Sequence, residues 1–312
     1  MKKLFLSLIA LCCACAINAQ IVKIQPKLEV GKEKYFLGSI EENIGNTNYT
    51  AFLLQRIKVL SADKDGFTME TELVKTSMDY NSTTYEAELM ETILMTRKNN
   101  VFKFKTNTDG VIISLLNADE VMKKGKDNLD DEWEIRFWSK YPEKFTNLTT
   151  QMALNNIVFV GLTGEGVFGW TSGPTFPFHL NGEEFESKKS YHYNGDSGLK
   201  MLRTIEFLSF DDNHNLEFEI KDKLDMSKEE RKQILFNQLR KEFPDQTVEK
   251  YVDELFKASG LENYQKNLSF NYVLDSNFWP IKYEIIDEDD DHLTKYNYFM
   301  ISDEKARELL GK

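Results

Sequence analysis

Residues 54–70 read LQRIKVLSADKDGFTME, and residues 201–219 read MLRTIEFLSFDDNHNLEFE. Each is an apolar strand ending in Leu-Ser (Leu60-Ser61, Leu208-Ser209), then a turn containing Asp, then a second strand. The turns are Asp63-Lys64-Asp65-Gly66 and Asp211-Asp212-Asn213. In the second strands apolar and acidic residues alternate: Phe67 and Met69 against Glu70, Leu216 and Phe218 against Glu217 and Glu219. A period of two turns one face to a core and the other to water. Asp65-Gly66 supplies the positive φ that a tight hairpin turn demands. The two stretches match with one residue inserted in the second turn, and self-similarity of this kind marks repeated architecture. The fold class that follows is α+β, mainly antiparallel β, built as two related β-rich halves with helical insertions.

Working outward, residues 28–39 and 50–61 read as the first strands, and residues 80–91 fit strand and helix equally. Phe102 and Phe104 alternate with Lys103 and Lys105 in a strand over 101–105. The turn Asn107-Thr108-Asp109-Gly110 leads to another strand over 111–115. Asn117 followed by Asp119 and Glu120 reads as a capped helix start. Leu129, Trp133, Phe137 and Tyr141 continue it as an apolar stripe, broken at Pro142. In the second half, Lys188, Lys189 and Tyr191 echo Lys32, Glu33 and Tyr35. Ser227 and Glu230 form a capping box that opens a helical hairpin. Its apolar stripes are Leu235 and Leu239, then Val248, Tyr251, Val252, Leu255 and Phe256, and packing on its own sheet is the expected use of them. Strands over 268–274, 279–286 and 293–301 and a helix over 303–310 complete the chain.

Residues 1–19 read as a signal peptide: Lys2 and Lys3, an apolar run over 4–16, and Ile17-Asn18-Ala19 before Gln20. All three cysteines (Cys12, Cys13, Cys15) lie within it, so a chain starting at Gln20 has no thiol and no disulfide. Lipidation would require cleavage before Cys15, where Cys12 is a poor replacement for the usual Leu. Removing Lys2 and Lys3 leaves 37 basic against 51 acidic side chains, a net charge of −14. That disfavours nucleic acid and anionic membrane surfaces as partners. The expected organisation is a signal peptide over 1–19, a β-rich half over 20–155 that ends in helices, a Gly/Pro-rich connector over 156–185, and a second half over 186–312 carrying the helical hairpin. No transmembrane segment is expected in the mature chain.

Several motifs fail for want of context. Ser61, Asp63, Asp65, Gly66 and Glu72 fall at EF-hand loop spacings, but strands rather than helices flank them. Gly164, Gly166 and Gly169 match a dinucleotide-binding spacing, yet Trp170, Gly173, Pro174 and Pro177 follow where a helix must open. Gly195-Asp196-Ser197-Gly198 resembles the nucleophile motif of chymotrypsin-like proteases, while His179 and His192 lie too close to Ser197 for that order. Residues 287–292 hold five acids and His292. Consecutive turn residues diverge, so Asp289 and Asp291 are weak metal candidates, no metal site is assigned and no cofactor is expected.

The Lys2-Lys3 start and Ala19-Gln20 junction resemble exported proteins of the Bacteroidota. With Gly31-Lys32-x-x-Tyr35 and the Asp-Gly turns at 65–66 and 109–110, the chain resembles the uncharacterised exported β-rich proteins of that group. The resemblance implies export and no activity. The expected function is a non-catalytic binding or envelope-associated protein, with an apolar or extended ligand or an envelope protein as partner. A secreted hydrolase using unassigned carboxylates is the alternative, and no catalytic residue is singled out. The expected binding residues are Phe168, Trp170, Phe176 and Phe178, because Gly and Pro break the connector too often for these rings to form regular core elements, with Trp138 from the helical insertion adding further aromatic surface.

Overall fold

The computed structural model describes residues 22–24, 27–44, 47–80, 84–108, 112–129, 139–141, 184–185, 188–194, 199–242, 248–258, 261–289 and 292–311. A short strand β1 (Val22–Lys23) precedes a meander of β2 (Glu33–Ile44), β3 (Thr47–Asp63), β4 (Gly66–Tyr80), β5 (Val101–Thr106) and β6 (Ile112–Leu115). A second short strand, β7 (Glu184–Phe185), pairs with β1. It precedes a second meander of β8 (Lys188–Asn194), β9 (Lys200–Phe210), β10 (Leu216–Leu224), β11 (Lys266–Leu274), β12 (Pro280–Asp289) and β13 (His292–Ile301). The last strand, β13, pairs antiparallel with β2, the first strand of the first meander. The two meanders therefore fuse into one eleven-stranded sheet in the order β6-β5-β4-β3-β2-β13-β12-β11-β10-β9-β8.

Each meander carries its helical insertion at the same place, between its third and fourth strands. Helix α1 (Tyr85–Arg97) follows β4; α3 (Lys228–Glu242), a 3₁₀ turn (Val248–Lys250) and α4 (Val252–Ala258) follow β10. Helix α2 (Ala118–Asp127) follows β6, and α5 (Asp303–Leu310) follows β13. Residues 80–91, ambiguous by pattern, divide into the end of β4 and the start of α1, where the Thr84 hydroxyl caps the helix by accepting from Ala87 N. Among the described residues no helix is long and apolar enough to cross a membrane.

The two hairpins are equivalent in detail. In both, the register skips the Leu of Leu-Ser: Val59 faces Met69 and Ser61 faces Thr68, while Phe207 faces Phe218 and Ser209 faces Glu217. Leu60 and Leu208 are thus the extra residues of matching β-bulges. Counting from the bulges aligns Gln55 with Arg203, Arg56 with Thr204, Lys58 with Glu206 and Glu72 with Lys221. The same count corrects the echo expected at β8. Lys188 stands at the position of Glu33 and Tyr191 at that of Phe36, one residue away from the match to Lys32 and Tyr35. In a strand, that slip reverses the face of every side chain.

The turns differ. Gly66 has φ +137, and a Cβ there would collide with the backbone of Thr106 and Asn107, so glycine serves both turn and close approach. In the second hairpin the Asp211 carboxylate accepts from Asn213 N, Asn215 N and Asn215 Nδ2, each at 2.8 Å, and His214 takes φ +61. A side chain there does the work that backbone freedom does at Gly66.

One face of the sheet forms the core. A row of paired residues crosses it: Phe218, Tyr272, Tyr283, Tyr298, Gly38, Leu53 and Thr76. The rings stack from strand to strand, with centroids 5.2, 5.7 and 4.6 Å apart from Phe218 to Tyr298. Such pairs add about 0.5–1.5 kcal/mol each beyond burial. Gly38 lies under the Tyr298 ring, where a Cβ would collide with it. Helix α1 adds Leu94 to this core beside Ile57, Met69 and Phe104, whereas Phe102, Val121 and Leu129 form a smaller cluster near α2.

Three local expectations are corrected. Asn117 precedes α2 but does not cap it: its side chain accepts from Lys103 N and donates to Val101 O, tying the helix to β5. The α3–α4 pair packs chiefly on itself among the described residues. Leu235 and Leu239 are half-buried, Phe256 is buried, and Tyr251 is 58% exposed. Its N-terminus is nevertheless pinned. Ser227 and Glu230 form the capping box, and the buried Arg231 guanidinium donates to the carbonyls of Met226, Leu261 and Glu262. Finally, alternation does not confine the apolar strand residues to the core. Leu37, Phe52 and Phe299 stand exposed on the opposite face.

Candidate functional site

The second, wetter face of the sheet is where the two meanders diverge. In the first, Glu33, Arg56, Lys58, Glu70 and Glu72 converge from β2, β3 and β4. The Arg56 guanidinium reaches Glu33 at 3.2 Å, Glu70 at 2.8 Å and Glu72 at 2.9 Å, and Lys58 reaches Glu33 at 3.1 Å. Tyr35 donates its hydroxyl to Glu33 at 3.0 Å. Burial pushes the Glu33 carboxyl up. The hydrogen bonds from Lys58 and Tyr35 and the charges of Arg56 and Lys58 outweigh it and hold the group below the usual carboxylate range. The face is filled there, with two cations set among three carboxylates.

At the equivalent place in the second meander, small side chains replace the large ones. Thr204 stands where Arg56 stands, and Ser190 where Tyr35 stands. Their hydroxyls meet at 3.0 Å. The ion pair beside them is retained with its charges exchanged: Lys188 to Glu206 at 3.0 Å replaces Glu33 to Lys58. Lys221, standing where Glu72 stands, pairs with Glu219 at 2.6 Å. The result is a groove of about 460 Å³ across β8–β12. Leu202 and Ile286 give it an apolar floor, and Asn267, Ser269, Lys223 and Glu288 extend its polar lining. It can hold a ligand by several hydrogen bonds and ion contacts drawn from five strands. Glu206 and Glu219 are each held by a lysine.

On the core side of this hairpin lies a tight polar cluster. Arg203 makes a two-pronged bond to the buried Asp222, at 2.7 and 2.5 Å, and Tyr193 donates to the same carboxylate at 2.7 Å. Burial, then the hydrogen bond to Asp222, pushes the Tyr193 phenol up to about 12. The cluster faces away from the groove and fixes β8 and β9 against β10. A second cleft of about 400 Å³ lies where β2 begins and β13 ends, lined by Lys27, Lys32, Lys34, Trp279 and Asp303. Its Trp279 ring is buried and its Nε1 donates to Lys27 O, so the ring is not presented for stacking.

The expected binding residues Phe168, Trp170, Phe176, Phe178 and Trp138 all lie outside the described residues. So do Gly164, Gly166, Gly169, His179 and Ser197. His192 contacts Asp225 at 2.6 Å on the exposed side of β8. The EF-hand spacing is dissolved by the strands: Ser61 is in β3, and Glu72 is in β4, bonded to Arg56. Asp289 closes β12, and Asp291 lies outside the described residues. Among the described residues no three metal-ligating side chains cluster. The groove residues Thr204, Glu206 and Glu219 were inside the quoted repeat, and Lys221 lies two residues beyond it. Comparing the two copies at Arg56 and Thr204 would have exposed them, given the correct register.

No protein-family model and no curated protein matches the chain. Among solved structures the chain is similar to one described as lipid–protein interactions in lipovitellin, at 8% identity and a TM-score of 0.37. The match covers 88% of this chain and 25% of that one. A likeness so distant carries nothing about fold or ligand.

Proposed function

We propose that the protein is an exported, non-catalytic binding module, free or associated with the cell envelope, that takes an extended polar ligand across the β8–β12 groove. The observation that supports this most is the replacement of Arg56 and Tyr35 by Thr204 and Ser190 at one position of a duplicated architecture. The first copy closes the face with a cation among three carboxylates; the second leaves it open. Polar side chains from several strands suit a polymer lying across them, and an apolar floor adds affinity without requiring one sequence.

The test restores the closed copy in the open one. Thr204→Arg with Lys221→Glu rebuilds the guanidinium–carboxylate network beside Glu219. Binding is read by ligand-induced protection of β9–β11 amides, using defined oligosaccharides and extended octapeptides as probes. The expected result is protection by at least one probe class in the parent protein and its loss in the folded double variant. Equal protection in both, or none with any probe, refutes the groove as the site. Export is tested by intact mass of the exported protein: a start at Gln20 with no thiol is expected, and a diacylglycerol shift on Cys15 overturns that cleavage.

A further inference from the structure

The eleven-stranded sheet ends in two unlike edges. At one end β6 has four residues, and its register to β5 slips after Lys105. At the other, β8 has seven (Lys188-Lys189-Ser190-Tyr191-His192-Tyr193-Asn194) and pairs with β9 through an unbroken register. None of the described strands pairs with its outer side. Every residue of β8 except Tyr193 is exposed. Natural sheets guard such edges by shortness, proline, bulges or charge. Of these devices β8 has only Lys188 and Lys189, both at its first end. Its cations already have partners within the chain. Lys188 pairs with Glu206 at 3.0 Å, the Lys189 ammonium lies 5.7 Å from the centre of the Tyr191 ring, and His192 contacts Asp225.

The strand is complementary to itself. Two copies of β8 can pair antiparallel about a two-fold axis normal to the sheet, which keeps both cores on the same side. Such an axis falls on one residue, and only Tyr191, the middle of β8, lets the whole strand pair. Lys188 then faces the partner's Asn194, Lys189 the partner's Tyr193, and Ser190 the partner's His192. No cation faces another, because antiparallel pairing sends the two lysine ends apart. Tyr191, 37% exposed, meets the partner's Tyr191, and aromatic pairs directly opposite one another stabilise neighbouring strands. An axis at Ser190 would instead set Lys188 against the partner's His192 and leave the end of β8 unpaired.

We propose that β8 is the contact between two copies of this chain, paired antiparallel about Tyr191 so that their sheets continue as one. A second copy is the occupant because the strand matches its own reverse in charge and in ring placement. The groove reaches Lys188, so the pair sets two grooves side by side. The pairing stands independently of any ligand in them.

Association of the full mature chain is measured by sedimentation equilibrium, and a monomer–dimer equilibrium is expected. Tyr191→Glu and Tyr191→Lys each set two like charges face to face at the axis, and each should weaken the dimer by about tenfold or more. Mixing the two variants turns that repulsion into attraction and should restore dimers holding one copy of each. Tyr191 is exposed, so both variants should melt as the parent does. If either fails to fold, cross-linking decides alone. A chain starting at Gln20 has no thiol, so Tyr191→Cys supplies one per copy. Residues directly opposed in an antiparallel pair lie about 4.5–5.5 Å apart at Cα, within reach of a disulfide. Tyr191→Cys should therefore oxidise to a covalent dimer. Lys189→Cys, displaced along the strand from its symmetry mate, should not. The proposal is refuted if the parent is monomeric at every concentration, if its dimer survives both charge variants, if their mixture stays monomeric, or if Lys189→Cys cross-links as readily. Growth into open polymers also refutes it, since that joins β8 of one copy head to tail with β6 of the next.

Discussion

The two hairpins share their bulges, their place in the meander and the insertion that follows them, yet they place an arginine differently. Arg56 of β3 points to the wet face and gathers three carboxylates; Arg203 of β9, one position earlier in the aligned register, points to the core and holds one. The equivalent of Arg203 in the first hairpin is Gln55, which donates to Thr71 at 2.9 Å. Moving the charge by one residue therefore changes which face is stapled. The first hairpin is tied together through its outer surface, the second through its core, and the outer surface of the second is left open. Backbone repetition fixes the frame, and the face on which the cation sits decides where a ligand has room.

The largest expected effect lies in the buried member of this contrast. Arg203→Met leaves the Asp222 carboxylate, whose side chain is 0% exposed, without its counter-charge. Stability should fall by about 3–5 kcal/mol in denaturant titration. Arg56→Met should cost less, about 1–2 kcal/mol, because Glu33, Glu70 and Glu72 are only partly buried and each keeps a route to water. Equal losses would break the distinction between the core staple and the surface staple.

The turns should respond with opposite signs. Gly66→Ala forces a side chain into a positive-φ site against the backbone of Thr106 and Asn107, and should lower stability by about 2–3 kcal/mol. His214→Gly relieves a left-handed residue at φ +61 and should raise it by about 0.5–1 kcal/mol. Thermal melts of the two variants check both signs.

Alkaline pH separates the halves further. Tyr193, raised to about 12, lies on β8 and bonds to Asp222 of the second hairpin. Its folded pKa exceeds the unfolded value near 10, so its contribution is complete below that value and is lost as pH rises towards 12. Tyrosinate absorbance from Tyr193 and the buried Tyr272, Tyr283 and Tyr298 should appear together with unfolding. A separate, earlier step from these residues would contradict their burial.

The smallest effect is expected at Asp211. Hydrogen bonds from the Asn215 side chain and backbone and from Asn213 N hold its carboxyl below the usual range. That support is present at neutral pH and is lost as pH falls through the lowered value. Asp211→Ala should remove this acid-side dependence and loosen the turn amides of Asn213 and Asn215 in hydrogen exchange. The first hairpin should show no such change.

The sequence by itself determined the strands, the hairpins and the repeat, because alternation, turn chemistry and capping are local. Phe102 and Phe104 against Lys103 and Lys105, the Leu-Ser pairs and the Ser227–Glu230 box each carry their meaning within a few residues. It also gave the α+β class with two related halves. Only the tertiary structure decided that β13 joins β2, since pairing between the first and last strands is set by complementary faces far apart in the chain. It decided the register as well. The echo at Lys188 was one residue off because period-two patterns match themselves at neighbouring offsets until a partner strand fixes one. The groove was hidden for the same reason: Thr204 is an ordinary strand residue until it is seen to stand where Arg56 stands. That the Tyr283 and Tyr298 hydroxyls find no partner among the described residues was equally invisible, because whether a buried group finds one depends on everything packed around it.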